Sequence, residues 1–328
     1  MKEKNIQIDN LKAILIVLVV VGHFGSTKNP FYRSLIAFIY SFHMPLFLFV
    51  SGYLSKNLDR IRNKAVTEYL FLFMAAQFIW TMTKYIVFDD PYYLSNVMEP
   101  GFGLWYLLCI FVYRILLKDL VKIRYLLLIS VALSIGVMAF SNLDHVFDIQ
   151  RMLGFFFYFL LGYLATEEKI KKIQKVPWLF AAGRLIIGYL GFYLIIRNGI
   201  LSYSELTKLL QHQLLLHDVS SIWKGIILYI LAGGFAFVFG VMVIRLVPSK
   251  KNMLTYLGVD TLPLYLSHTY VVLFYRELVK EHILGSVFEI PMLLFLSLVS
   301  ILFFSTSMYR RQFHSLKAVL EKAIQIDR

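Results

Sequence analysis

The amino-acid sequence predicts an all-α, polytopic membrane helix bundle of about ten transmembrane helices, with both termini on the cytoplasmic side. Three observations carry this expectation. Hydrophobic residues make up 59% of the chain and charged residues only 16%. Ordinary soluble domains carry roughly 25% charged residues, and a soluble fold of this composition would lack the polar surface to cover itself. Apolar blocks near the roughly 20 residues that a bilayer core demands recur along the whole length. Lysine and arginine collect in alternate connections between those blocks.

The first block, residues 11–28, follows Lys2 and Lys4 and has the look of a signal peptide. No small-residue cleavage site closes it, and a second apolar block follows closely, so it is read as an uncleaved first span. The others are 36–55, 67–88, 102–118, 124–141, 152–166, 178–198, 223–246, 253–275 and 287–309. The sixth is short, and the last two are the least sharply bounded. The longest connection, 199–222, spaces Leu206, Leu209, Leu210, Leu214 and Leu216 at near-helical intervals, which predicts a helix lying on the outer surface. The whole chain, 1–328, reads as one integral-membrane domain. The lone Cys109 sits inside an apolar block and excludes an intramolecular disulfide.

Orientation follows from the basic residues. The amino-terminal end, alternate connections and the carboxy-terminal end hold 22 Lys and Arg, and the opposite set holds 9. The richer side faces the cytoplasm, which places both ends inside and requires an even number of spans. The net charge of +13 is spread between apolar blocks rather than gathered on one patch. It is therefore a topology signal with an attraction for anionic lipids, and nucleic acid is not expected as a partner.

Ionisable groups at membrane depth are costly and mark function by default. His23, His43 and His268 lie inside predicted spans, at depths of roughly 18, 20 and 22 Å from the cytoplasmic edge at 1.5 Å per residue. Three histidines at one level suggest a shared pocket; the plainer alternative is that each hydrogen-bonds a neighbouring helix. Lys12 precedes His23 by 11 residues, about 20° from a whole number of turns, so the two share one helix face roughly 16 Å apart. Asp9 falls on nearly the same face.

The segments IDNLKAILIVLVVVGHF (8–24), SFHMPLFLFVSGYL (41–54), GLWYLLCIF (103–111) and LGVDTLPLYLSHTYV (257–271) together resemble the integral-membrane acyltransferase-3 family. The second is most similar to its sugar O-acetylase branch, the fucose 4-O-acetylase-like proteins. The resemblance implies transfer of an acyl group, usually acetyl from cytoplasmic acetyl-CoA, to a hydroxyl of a capsular, extracellular or lipid-linked saccharide at the cell membrane, with no permanently bound cofactor. The family's first span carries an arginine, ten residues, then an essential histidine. His23 matches the histidine, whereas Lys12 stands where the arginine is expected and lacks its bidentate fork. A basic cluster after the second span is matched by Arg60, Arg62 and Lys64. Many relatives add a soluble esterase-like domain; this chain shows none and is expected to act alone or with a separate partner.

Acyl transfer from a thioester to an alcohol needs a base and donors for the developing oxyanion. His23 is the first candidate, as general base or as a covalent acyl relay. His43 and His268 are expected to orient it or donate to the reacting group. Ser41 and Ser51 are further donors, although Ser51–Gly52 reads better as a close helix contact. Lys12, Arg60, Arg62 and Lys64 are candidates for the CoA phosphates, and Arg114 for CoA or a structural carboxylate. Trp105 and Arg151 are candidates for the acceptor; an interfacial aromatic belt and a rim salt bridge to Asp148 or Asp144 are their plainer readings. Asp144, His145 and Asp148 form at most a faint metal cluster and read better as a solvated loop, so no metal is expected. A lipid-linked sugar carrier, or a subunit passing acetyl to a separate transferase, would use the same polar residues.

Overall fold

The computed structural model describes residues 5–25, 28–139, 146–279, 282, 285 and 287–324. Among them there is no strand; the chain folds as helices in the order α1 (Ile6–His23), α2 (Pro30–Tyr40), α3 (His43–Tyr53), α4 (Leu58–Ala65), α5 (Phe71–Phe88), α6 (Tyr92–Ser95), α7 (Trp105–Leu120), α8 (Leu126–Gly136), α9 (Ile149–Leu164), α10 (Glu167–Ile173), α11 (Trp178–Arg197), α12 (Tyr203–Leu210), α13 (Ile222–Leu246), α14 (Met253–Val259), α15 (Leu262–Phe274), α16 (Glu289–Phe304) and α17 (Ser307–Ile324). The all-α class predicted from composition is the class observed. The apolar exterior fits a lipid environment: Phe78, Ile86, Leu128, Ile187 and Trp223 are each well over half exposed, an arrangement that water would penalise and hydrocarbon would not.

All ten predicted blocks contain helix, but length alone supports fewer crossings. Among the described residues five segments are long and apolar enough to span a bilayer, and two sharply bent pairs raise the number to at most seven. Helix breaks and short helices explain the difference. Pro45 cannot donate to the carbonyl four residues back and crowds it, so the second block breaks at Ser41–Phe42 into α2 and α3, although Pro30–Tyr53 together still counts as one crossing. The ninth block breaks at Asp260–Thr261, with Pro263 in the first turn of α15. The first break puts His43 at the first position of α3, and the second starts the helix that carries His268.

Side-chain caps fix where the helices begin. Asn5 accepts the Ile8 amide ahead of α1, and Asn29 accepts those of Phe31 and Tyr32 ahead of α2. Ser202 and Glu205 form a reciprocal capping box at α12. That helix corrects the expectation for 199–222. It forms, but Leu206, Leu209, Leu210 and Leu214 are buried against the bundle rather than laid on a membrane surface. The apolar face is better covered by protein than by the headgroup region.

Two helix crossings set the site's frame. α3 and α9 approach so closely that a Cβ on Gly52 would lie 1.9 Å from the Phe159 carbonyl oxygen, and one on Gly162 would lie 1.9 Å from that of Phe49. The close contact expected at Ser51–Gly52 is therefore present, and only glycine fits on either side. α1 is tied to the segment before α14 by Asn10, whose amide donates to the carbonyls of Pro248 (2.7 Å) and Lys250 (3.0 Å) and accepts from Thr255 (2.6 Å). The core between these crossings is aromatic and aliphatic, with Phe24, Phe155, Phe159, Leu15 and Ile16 fully enclosed.

Candidate active site

His23 ends α1 and meets His268 of α15 through a hydrogen bond of 2.8 Å between His23 Nδ1 and His268 Nε2. The two rings lie nearly parallel, with centroids 5.0 Å apart. His268 Nδ1 lies 2.9 Å from the Leu264 carbonyl oxygen. A carbonyl only accepts, so the proton sits on His268 Nδ1, and in a neutral ring Nε2 must then be an acceptor. It follows that His23 donates through Nδ1 and keeps an open lone pair on Nε2. The chain of bonds thus runs from a backbone carbonyl through one imidazole to a second, and leaves one basic nitrogen with its lone pair unused. Helix geometry makes this possible, because residues four apart in α15 stack one turn above one another.

That ring borders a cleft lined by His23, Tyr40, His43, Trp105, Arg151 and Gln211 among others. His43 repeats the His268 pattern. Its Nδ1 donates to the Ile39 carbonyl at 2.9 Å, so a second Nε2 lone pair is left. The His43 ring stacks on Tyr40 at 5.1 Å, and the Tyr40 hydroxyl donates to the Gly22 carbonyl at 3.1 Å. Arg151 is held on three sides. It donates to Asp148 (2.6 Å) and to Gln211 Oε1 (3.2 Å), and its guanidinium lies 5.3 Å from the centre of the Trp105 ring. Its Nε, also buried, has no hydrogen-bond partner among the described residues. The Asp148 salt bridge expected at the rim is therefore present, and Arg151 lines the cleft as well. Asp144 and His145 lie outside the described residues, and among the described residues no group of His, Cys, Asp or Glu is arranged to hold a metal ion.

Behind the ring, Phe102 packs on His23 with centroids 4.6 Å apart. Gly103, at φ +79°, turns the chain there, and its carbonyl accepts the Tyr265 hydroxyl. The turn favours glycine because L side chains rarely adopt such a φ. Arg276 donates to the His23 carbonyl at 3.1 Å and lies 4.5 Å above Phe102.

The structure thus brings together His23, His43, His268, Trp105 and Arg151, and it leaves the other five predicted residues elsewhere. Lys12, near the opposite end of α1, pairs with Asp9 at 2.8 Å. Ile16 and Val19, between Lys12 and His23 on that stripe, are buried in the core. Arg62 pairs with Asp119, while Lys64 and Arg114 both approach Glu68, at 3.9 and 3.3 Å. Arg60 is exposed at the start of α4. Ser41 and Ser51 spend their protons inside the fold: Ser41 donates to the Phe38 carbonyl, and Ser51 bonds Tyr106 at 2.7 Å and the Phe47 carbonyl. Tyr40, Gln211, Phe102 and Arg276 were not anticipated. They carry no spacing signal, and Gln211 in particular belongs to the connection expected on the outer surface.

The model of a family described as an acyltransferase domain matches residues 5–310. A nodulation protein NolL of Mesorhizobium japonicum is 24% identical over 243 residues, covering 66% of this chain and 61% of that protein. NolL of Sinorhizobium fredii is 43% identical over a shorter stretch of 60 residues, 16% of each chain. The match therefore spans less than two thirds of these relatives' own length. No solved structure matches.

Proposed function

The chain belongs to the acyltransferase-3 family, and from that premise we propose that it is a membrane O-acyltransferase that moves acetyl from cytoplasmic acetyl-CoA to a hydroxyl of a cell-surface or lipid-linked saccharide. The observation that carries the reading is the bond from His23 Nδ1 to His268 Nε2. It leaves Nε2 with an unused lone pair on a ring that lines the cleft, as a general base requires.

In this mechanism the acceptor hydroxyl gives its proton to His23 Nε2 as its oxygen attacks the thioester carbonyl. A C–O bond forms and the carbonyl becomes an oxyanion. The C–S bond then breaks, and the protonated His23 returns its proton to the departing thiolate. The products are an acyl ester and free CoA. His268 steadies the imidazolium that forms in between, because its Nε2 accepts the Nδ1 proton throughout. Arg151, which lines the cleft with its guanidinium held by Asp148 and Gln211, is placed to stabilise the oxyanion or hold the acceptor, and Trp105 offers a stacking face. His43 supplies a second lone pair for the acceptor's hydroxyls.

The donor's charged head is assigned to the cytoplasmic cations Lys12, Arg60, Arg62, Lys64 and Arg114. For Lys12, Arg62, Lys64 and Arg114 a phosphate would exchange with the carboxylates that now hold them. The excess of Lys and Arg on one side supports a cell-membrane location with both termini in the cytoplasm. The test is direct. Purified protein in detergent should gain thermal stability from acetyl-CoA and release CoA thiol only when an acceptor saccharide is added. Saccharide movement across vesicles with no donor consumed would overturn the reading in favour of a carrier.

A further inference from the structure

A second cleft opens beside the first and is lined by Trp80, Lys84, Tyr93, Phe102, Arg276 and Glu277, together with Val272 and Leu273. It shares no lining residue with the histidine cleft, yet it touches it through two groups. Phe102 packs on the His23 ring, and Arg276 donates to the His23 carbonyl. Nothing in the mechanism above uses it.

We propose that this cleft binds a neutral sugar ring of the acceptor saccharide, next to the unit acylated at His23. The inference rests on the reading of the acceptor as a saccharide, and it adds a subsite to it. A sugar ring has an apolar C–H face and a polar rim of hydroxyls, and the cleft offers both complements. Trp80 and Phe102 lie nearly parallel with centroids 6.3 Å apart, and Tyr93 stands edge-on to Trp80. These are faces for stacking. The polar side is built before any ligand arrives: Lys84 is held at 2.8 Å by Asp90 and at 2.9 Å by Glu277, and Arg276 is fixed over Phe102. Preorganised charged groups of this kind make strong, directional hydrogen bonds to hydroxyls.

Charge decides against an anionic ligand. Two cations, Lys84 and Arg276, face two carboxylates, Asp90 and Glu277, so the local sum is zero. A phosphate or uronate would meet as much repulsion as attraction.

The test is a binding measurement on the full chain in detergent, without acetyl-CoA, so that it does not depend on catalysis. The probes are methyl glycosides of fucose, galactose and glucose, with glucuronate and inorganic phosphate as anionic comparisons. Saturation-transfer NMR reads contact and tryptophan fluorescence reads affinity. At least one neutral glycoside is expected to bind wild type and His23→Ala alike. Its affinity should fall on the order of tenfold in Trp80→Ala, the scale of one lost aromatic contact, and recover in Trp80→Phe. Trp80 is buried and its loss could disturb folding, so Glu277→Ala, at the exposed rim, provides a second variant and should also weaken binding. Binding of no neutral glycoside, equal binding by the wild type and both variants, or displacement by phosphate would each overturn the proposal. If glycosides bind as expected but no acetyl is transferred, the subsite stands and the acyltransferase reading falls. If acetyl is transferred with Trp80→Ala and Glu277→Ala unchanged in acceptor affinity, the subsite falls and the enzyme stands.

Discussion

The ion network joining α4 to α7 and the cleft at His23 draw on the same scarce residue type, ionisable groups in an apolar chain, and use it in opposite ways. In the network, charges meet their opposites: Arg62 with Asp119, Lys118 with Asp59, and Arg114 with Glu68. The first two pairs are exposed, and such pairs contribute roughly 0–1 kcal/mol each. At His23 the groups are aimed rather than cancelled. A carbonyl sets one imidazole, that imidazole sets the next, and a lone pair is left over. Cations beside carboxylates hold loops together. Hydrogen bonds arranged in a fixed direction leave a reactive atom free.

The contrast predicts which changes matter most. Replacing His23 by Ala removes the base, and transfer should fall by about 10²–10⁴-fold while the protein still folds. His268→Ala should cost about 10²-fold, because an imidazole free to rotate loses its alignment. His268→Gln should restore part of that loss, since the amide oxygen can accept the His23 Nδ1 proton. If His268→Ala and His268→Gln lose activity equally, the relay of protons is not what His268 supplies. Gly52→Val tests the frame rather than the chemistry. A side chain at the α3–α9 crossing should destabilise by about 1–3 kcal/mol or more, read as a drop in melting temperature.

In the ion network, Arg62→Ala should change stability by less than about 1 kcal/mol. If phosphates of the donor bind there, its kinetic mark is a raised KM for acetyl-CoA with kcat unchanged. A large fall in kcat would erase the distinction between the two regions. The smallest effect is expected at Asp218, in the connection beside Gln211. Burial raises its pKa, but the Leu215 amide and the Lys208 ammonium outweigh burial and leave it below 3.8. A lowered carboxyl pKa contributes stability that is present above the unfolded value and lost as pH falls through the folded one. Amide exchange in residues 211–221 should therefore speed up only below about pH 4.

Much of this was legible in the sequence, for identifiable reasons. Composition and apolar block length report burial in lipid without reference to tertiary contacts, so the helical class and the ten apolar segments could be read directly. His23, His43 and His268 stood out because a polar residue among apolar ones is conspicuous, and their similar depth anticipated that they would meet. Depth does not say which helices are neighbours, and so the pairing of His23 with His268 rather than His43 was invisible. Lys12 shares a helix face with His23, as the spacing requires, but Asp9 holds it at the far end and core residues fill the stripe between them. Gln211, Tyr40 and Arg276 are ordinary residues made local by folding: one reaches the cleft through a connecting segment, one through a helix break, and one through the end of α15.

The most direct test of the central claim measures both products of one reaction. Membrane vesicles carrying the wild type, His23→Ala or His268→Gln would be supplied with acetyl-labelled acetyl-CoA and saccharide, and CoA thiol release followed alongside label on the saccharide. The account predicts matched thiol release and ester formation by the wild type, neither above background for His23→Ala, and an intermediate rate for His268→Gln. Full acetylation by a well-folded His23→Ala protein would contradict it.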